Sequence, residues 1–580
     1  MLRLHSRPHV LHDKATCNTA TPPNQICDRD GGPSHSRTSG ISLGGISGGG
    51  RGESTLFQYG MIYLREIKLP VPSTTEHLVN SARVECPPAT RLVWGLAGYK
   101  PVREYHPDTS RIFRLWQVFL DNVHPLSKVL HAPSIQRQIT DAISSLDFVS
   151  RGLEALMFAI YLTAVTSLTD DQCGSLLGKP KGILHQRFVA ATEQALVNAE
   201  CLKSCNLMVL QAMTLYLLCM RQYHDHQSHW LLTGLAFRSA QRIGLHKETM
   251  LSNRISLFES EIRRRLWWQI LTLDFRAAQL SGFTMDLQAR EYFAARCPVN
   301  VSDSELYPEM GGLPPGVGTH GTEMLFCLMR YESAQFIASS RMTGEGASKA
   351  VDEFALYLES KFIQFCDESI PLHLLAKLFA PSIIAQLRIK GAQSRQKLNG
   401  HNHHLIMDTD RRALLAWNVE VVECTHKIYS TDKLQPYLWF VHTLFPFESF
   451  VHVLMELQHG HVVNLDNAWS AIDAVYRVFM DADWLPCQNP NDLMYVAVGT
   501  MALKAWEAQA PRRGEEPRWV VSLKEKHEAR KRYLSGPSVV PADYSLFDDT
   551  DPQLFDTDVA SCFENLDINW GYWTQVSGDP

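Results

Sequence analysis

The chain has 580 residues, 45% of them hydrophobic, with 55 Lys and Arg against 61 Asp and Glu for a formal charge of −6. That length exceeds what one small hydrophobic core supports. The acidic balance gives no global basic footprint for nucleic acid. No run approaches the roughly 18 consecutive apolar residues that read as a membrane helix. The longest apolar run, LMVLQAMTLYLLCM from Leu207, is too short and contains Gln211. The N-terminus lacks the charged-then-apolar pattern of a secretory signal. The 13 cysteines are scattered through apolar runs, as at Cys219 and Cys327. That usage fits reduced, buried thiols rather than a disulfide framework.

Residues 1–75 are rich in Gly, Ser, Thr, Pro and His, including SGISLGGISGGGRGES, and are expected to be disordered, with 76–110 a linker. Helical patterning begins at Arg111 with RIFRLWQVFLDNVHPLSKVLHAPS. It continues through LEALMFAIYLTAVTSL, HQRFVAATEQALVNAECL and NLMVLQAMTLYLLCMRQY. Period-2 alternation is scarce, so the expected fold is all-α, a multi-helix array spanning 111–510.

The stretch from Trp230 to Gly282 carries the clearest punctuation. WLLTGLAFRSAQRIGLH ends in Gly244 followed by Leu245, a glycine stop with a hydrophobe beyond it. Ser256 and Glu259 then have capping-box spacing ahead of a second helix. Ile262, Leu266, Ile270, Leu273 and Ala277 form its apolar stripe. Glu259 with Arg263, and Glu261 with Arg265, are i,i+4 pairs in the favourable order. Arg263, Arg264 and Arg265 could suggest a phosphate patch, but mixed charge on a helix flank reads as a solvated or salt-bridged face. Trp267 and Trp268 read as packing residues.

This stretch closely resembles the signature of the fungal-specific transcription factor domain, the helical middle region of binuclear zinc-cluster regulators. The phrase RIFRLWQVFLDNVHPLSKVLHAPS, with His124-Pro125, resembles the entrance to that domain. The resemblance is strongest from Arg111 to Gly282 and only architectural from there to about Ala510. It implies a nuclear regulator of RNA polymerase II genes, with pathway-specific control of a secondary-metabolite or other metabolic gene cluster. The helical domain would then be a regulatory and dimerisation scaffold with an internal ligand pocket. The rival reading is a helical co-regulator or interaction protein without its own DNA binding.

Beyond Glu305 the pattern is less regular, with GGLPPGVGTHG a loop, before helical runs resume at LFCLMRYESAQFI and extend to DLMYVAVGTMALKAWEAQ. Residues 511–540 read as a charged linker. From Pro541 no Lys or Arg occurs, and acids alternate with Phe547, Phe555, Phe563, Trp570 and Trp573. Residues 541–580 therefore read as an acidic-hydrophobic activation segment that folds on a partner. The alternative is a tail that docks on its own helical domain.

A binuclear zinc cluster needs six thiolates in two CxxC-containing halves. Only Cys17, Cys27 and Cys86 precede the helices, and no CxxC occurs. The expectation is no cofactor in this chain, with zinc only if an N-terminal cluster is missing from the sequence. Either the chain naturally lacks the cluster or an N-terminal exon was lost. DNA would be reached indirectly or through that missing module. The other expected partners are the transcription machinery and a second copy or a related chain, but no membrane. Three groups carry metal-ligand residue types but no HExxH arrangement, and no metal site is assigned to them: His224, His226 and His229; His401, His403 and His404; and His452, Glu456 and His459. Cys201 and Cys205 are one helical turn apart and are expected to pack. No GxSxG elbow or GxxxxGK[ST] loop occurs, so no catalytic or cofactor-binding residue is assigned and no enzyme is expected.

Overall fold

The computed structural model describes residues 99–534, apart from 225, 248–254, 282–291, 294, 313–320, 340–345, 399–407, 460–464, 482–492 and 514. Among the described residues every regular element is a helix, in line with the expected all-α fold.

The chain enters through α1 (Thr109–Asn122), capped by Asp108, whose side chain accepts from the Arg111 amide. The short α2 (His124–Ser127) follows, with Pro125 in its first turn and Lys128 in the left-handed region at φ 47° closing it. Next come α3 (Ala132–Ile143), α4 (Arg151–Ser167), α5 (Asp170–Leu177), α6 (Lys181–Asn198) and α7 (Leu207–Met220). Helices α4 and α7 are apolar on every side, which marks helices enclosed by others. Every residue of α4 from Ala155 to Ser167 is buried, and α4 packs against α1, α6 and α7. The one polar interruption noted in α7 is accounted for: buried Gln211 donates to the Val129 carbonyl at 2.7 Å.

Helices α8 (His226–Arg242) and α9 (Leu257–Leu280) pack on each other and on α7. Gly244 sits at φ 77°, its amide bonded to the Gln241 carbonyl, and the Leu245 amide reaches back to Ala240. That pair of bonds is the Schellman stop the sequence suggested, with Leu245 buried. Ser256 Oγ accepts from the Glu259 amide at 3.1 Å. All five stripe residues of α9 are buried, but so are Glu261, Arg265, Trp267, Trp268 and Gln269.

The second half comprises α10 (Leu325–Ala338), α11 (Ala347–Lys361), α12 (Pro371–Leu398), α13 (Asp408–Tyr429) and α14 (Leu438–Val441). It ends with α15 (Phe447–His459), α16 (Asp466–Asp481), α17 (Leu493–Arg513) and α18 (Arg518–Leu534). Helix α12 leaves the absence of a roughly 18-residue apolar run standing, since Lys377 and Arg388 interrupt its sequence. Over Pro371–Gln393 it is long and apolar enough, by length and composition, to cross a bilayer. It contains Pro381 and packs against α10, α11 and α13, as a core helix does.

Two boundaries also differ from the expectation. Val102, in the supposed 76–110 linker, is 1% exposed. The supposed 511–540 charged linker holds α18, whose Trp519, Val520 and Leu523 belong to the main core. Trp519 stacks on Tyr476 at 4.3 Å and donates to Asp473 at 2.9 Å. Three apolar residues inside a densely charged run form the packed face of this helix, and its opposite face supplies the charge.

A buried charge cluster as the candidate functional site

Three segments distant in sequence meet below the α8–α9 pair. They are the HPLSK turn around α2, the middle of α9, and the irregular segment 299–306 with Glu323. Asp303 is the hub. Its Oδ2 lies 2.8 Å from His124 Nε2 and accepts from the Ala132 amide at 3.1 Å. Its Oδ1 accepts from Arg265 Nη1 at 2.6 Å and lies 3.0 Å from Lys128 Nζ. Lys128 also reaches Glu323 at 3.1 Å and approaches His124 Nε2 at 2.9 Å. Arg265 donates in addition to the Val301 carbonyl and to Glu261, and Glu261 takes Arg264 and the Val299 amide. His131 joins through the Asp303 carbonyl at 2.9 Å.

The side chains of Lys128 and Arg265 are wholly buried. Burial alone would raise the Asp303 pKa. The hydrogen bond from His124 and the charges of Lys128 and Arg265 outweigh it and hold the carboxyl well below the usual range. Burial, then the Lys128 charge, lowers the His124 pKa. Lys128, Arg264 and Arg265 balance Asp303, Glu261 and Glu323, so the cluster is neutral as a whole. A buried charge is tolerated when it is paired and its hydrogen bonds are met, and both conditions hold here.

His124, Asp303 and Glu323 converge closely enough to hold a cation. The Lys128 ammonium already lies within about 3 Å of all three, where such an ion would sit. The arrangement therefore fastens helices together; it presents no nucleophile or open coordination position.

A match to the fungal specific transcription factor domain spans residues 116–311, which contain this cluster except Glu323. The chain is 35% identical over 548 residues to the aurofusarin cluster transcription factor aurR2 of Gibberella zeae, covering 87% of this chain and 80% of that protein. The chain belongs to this family of fungal transcription factors. It is also 34% identical over 423 residues to the transcriptional regulator AacuB of Aspergillus aculeatus, covering 70% of this chain and 56% of that protein. To the pyriculol/pyriculariol biosynthesis cluster transcription factor 1 of Pyricularia oryzae it is 31% identical over 398 residues, covering 64% of this chain and 52% of that protein. The chain thus spans four fifths of the first relative and little more than half of the other two.

The family's zinc cluster does not fit the described cysteines of this fungal transcription factor chain. Among the described residues no cysteines converge into a ligand group; the side chains that do converge are His124, Asp303 and Glu323. The three cysteines before the helices lie outside the described residues.

The other sequence-derived sites are placed as follows. His224 and His229 have ring centroids 5.8 Å apart, and His229 is buried at the start of α8. Glu456 pairs with Arg411 at 3.0 Å, so it does not join His452 as a ligand. Cys201 is buried but Cys205 is exposed. Both lie in the turn after α6, where Glu200 at φ 49° ends helical geometry. His401, His403, His404, the side chains of His226 and His459, and the tail residues Phe547, Phe555, Phe563, Trp570 and Trp573 lie outside the described part of the structure. Trp267 and Trp268 are packing residues: Trp268 stacks on Tyr331 and donates to the Arg296 carbonyl at 2.9 Å.

Nothing in the residues next to Asp303 names its distant partners. Ser302 and Glu305, with S-x-x-E spacing, form the turn that presents it, the Ser302 amide donating to Glu305 at 2.8 Å. That spacing was the available signal.

Proposed function

We propose that this chain acts in the nucleus as a pathway-specific transcriptional regulator of a secondary-metabolite gene cluster, without catalytic activity. The observation that carries this reading is the 35% identity to a cluster transcription factor along 87% of the chain. The helical array is the regulatory body, held in one arrangement by the Asp303 cluster. DNA and the transcription machinery are its partners.

The test is deletion of the gene in its native host with genome-wide transcript measurement. Loss of transcripts from one contiguous block of biosynthetic genes is expected. An unchanged transcriptome under conditions where those genes are normally on would overturn the reading.

A second reading is a co-regulator recruited by another DNA-bound chain, in keeping with the formal charge of −6. Phosphate neutralisation by Lys and Arg supplies most DNA affinity. On this reading the purified chain shows no selective retention of a target promoter at physiological salt. It is nevertheless recovered on that promoter by chromatin immunoprecipitation.

A further inference from the structure

The sequence holds two runs of three consecutive cations, Arg263 to Arg265 and Arg530 to Arg532. The structure disposes of the first. Arg263 pairs with Glu259 and Arg264 with Glu261, and Arg265 is wholly buried against Asp303 and Glu261. A partner outside the fold cannot read those three together. The second run falls elsewhere, in the last turns of α18.

Helix α18 is attached to the core through its first half. Trp519, Val520 and Leu523 enter the main core, and Trp519 also donates to Asp473. Just beyond Leu523 the surroundings change. Lys524, Glu525, Lys526 and Glu528 are exposed, and His527 is half-buried. Lys524 pairs with Glu516, a contact between two partly exposed groups that holds weakly in water. A helix shorter than about 12 residues is marginal in water without packing. From Lys524 to Glu528 the helix therefore gains little from the core.

Residues 524–532 carry five Lys and Arg against two Glu, in a chain whose formal charge is −6. A short stretch rich in Lys and Arg suits an acidic protein groove or a phosphate backbone. The acids decide between the two. A nucleic-acid surface neutralises successive phosphates along a basic stripe, and Glu515, Glu516, Glu525 and Glu528 interrupt any such stripe in this segment. In an extended segment, by contrast, successive side chains alternate in direction. Arg530, Lys531 and Arg532 can then enter separate acidic and aromatic subsites of one groove. We infer that the second half of α18, centred on Arg530, Lys531 and Arg532, is the signal by which a nuclear import carrier with an acidic, aromatic-lined groove takes up this chain. The carrier binds the segment drawn out of its helix, while Trp519, Val520 and Leu523 stay in the core. A folded chain of 580 residues is too large to enter the nucleus by diffusion and needs such a signal. The inference rests on the nuclear reading above and names the residues that bring it about.

The experiment follows the full chain, fused to a fluorescent protein, in its native host. The parent chain is expected in the nucleus. Arg530→Gln, Lys531→Gln and Arg532→Gln combined should lower the nuclear-to-cytoplasmic ratio to about one or below, because the charge contacts to the carrier are lost. The exposed Arg477→Gln should leave the ratio unchanged. A foreign import signal appended to the triple variant should return it to the nucleus. The Tm of the purified triple variant should stay within about 2 °C of the parent's, since the core residues of α18 are untouched. A larger drop would show the run to be packed on the core, against the inference. A triple variant that stays nuclear overturns the inference and leaves the nuclear reading standing; if it also leaves its promoter, the run is a DNA contact. A parent chain excluded from the nucleus overturns both. A triple variant that the appended signal fails to rescue has lost something other than import, and that too overturns the inference.

Discussion

Lys128 Nζ lies 3.0 Å from Asp303 Oδ1, with none of the lysine side chain exposed. The contact joins the turn after α2 to the segment that follows α9, and it holds Lys128 in a left-handed conformation unusual for a residue with a β-carbon. With Arg265 on the same oxygen, the pair fixes α2, α9 and the 299–306 segment in one arrangement. Removing one partner would leave buried cations unpaired. Asp303→Asn is therefore expected to cost about 3–5 kcal/mol, measured by urea unfolding of the full chain. The Asp303 pKa is depressed in the folded state, so its contribution is present above the unfolded carboxylate pKa and is lost as pH falls through lower values. The variant should lack this acid limb.

Helix α9 separates two kinds of arginine. Leu266 is fully buried on the predicted stripe, and Leu266→Asp is expected to cost about 4 kcal/mol or more, because an unpaired carboxylate enters the core. Arg265→Ala should be comparably severe, since it strands Asp303 and Glu261. Arg264 lies off that stripe, on the flank that the sequence marks as a solvated or salt-bridged face. Its side chain is only 11% exposed and pairs with Glu261, so Arg264→Ala should cost about 1–2 kcal/mol, less than the other two. Equal thermal shifts for all three would show the burial to be wrong.

The local grammar of α8 and α9 was legible because it is written in neighbouring residues: Gly244 and Leu245 for the stop, Ser256 for the start, and Glu259 with Arg263 on one flank. The Asp303 cluster was not, because its members are drawn from residues 124, 265, 303 and 323 and nothing in the spacing of an isolated aspartate names its partners. Arg265 illustrates the limit. Its i,i+4 partner Glu261 was visible, but the contact that buries it comes from Asp303. Helix α18 was hidden for another reason, since Trp519 and Leu523 find their neighbours on α16 and in the α17 pairing, not in their own charged segment.

Acid also acts through His185. Burial first, and then the Lys181 charge, pushes its pKa down to about 4. The folded value lies below the unfolded one, so the unfolded chain binds more protons between about pH 4 and 6.5. Stability should therefore fall as pH drops from about 6.5 and level off below about 4, with a contribution of about 3 kcal/mol at most. His185→Phe, beside Tyr223 at a ring distance of 4.3 Å, should flatten that part of the profile. A slope unchanged in the variant would mean that other buried groups carry it.

The tail is the part of the regulator reading that can be tested without the rest of the chain. Residues 541–580 contain acids, no Lys or Arg, and the spaced aromatics Phe547, Phe555, Phe563, Trp570 and Trp573. Fused to a foreign DNA-binding domain, this segment is expected to activate a reporter. Acidity alone is not enough, because recruitment requires apolar side chains that enter a partner's groove, while the charges keep those side chains solvated beforehand. Replacing these five Phe and Trp residues with alanine leaves net charge fixed and should abolish activation. Replacing the aspartates with asparagine should reduce it more gradually, since the hydrophobes then collapse on one another. A five-alanine tail that activates as well as the original would rule out this mechanism, and a silent native tail would favour the co-regulator reading.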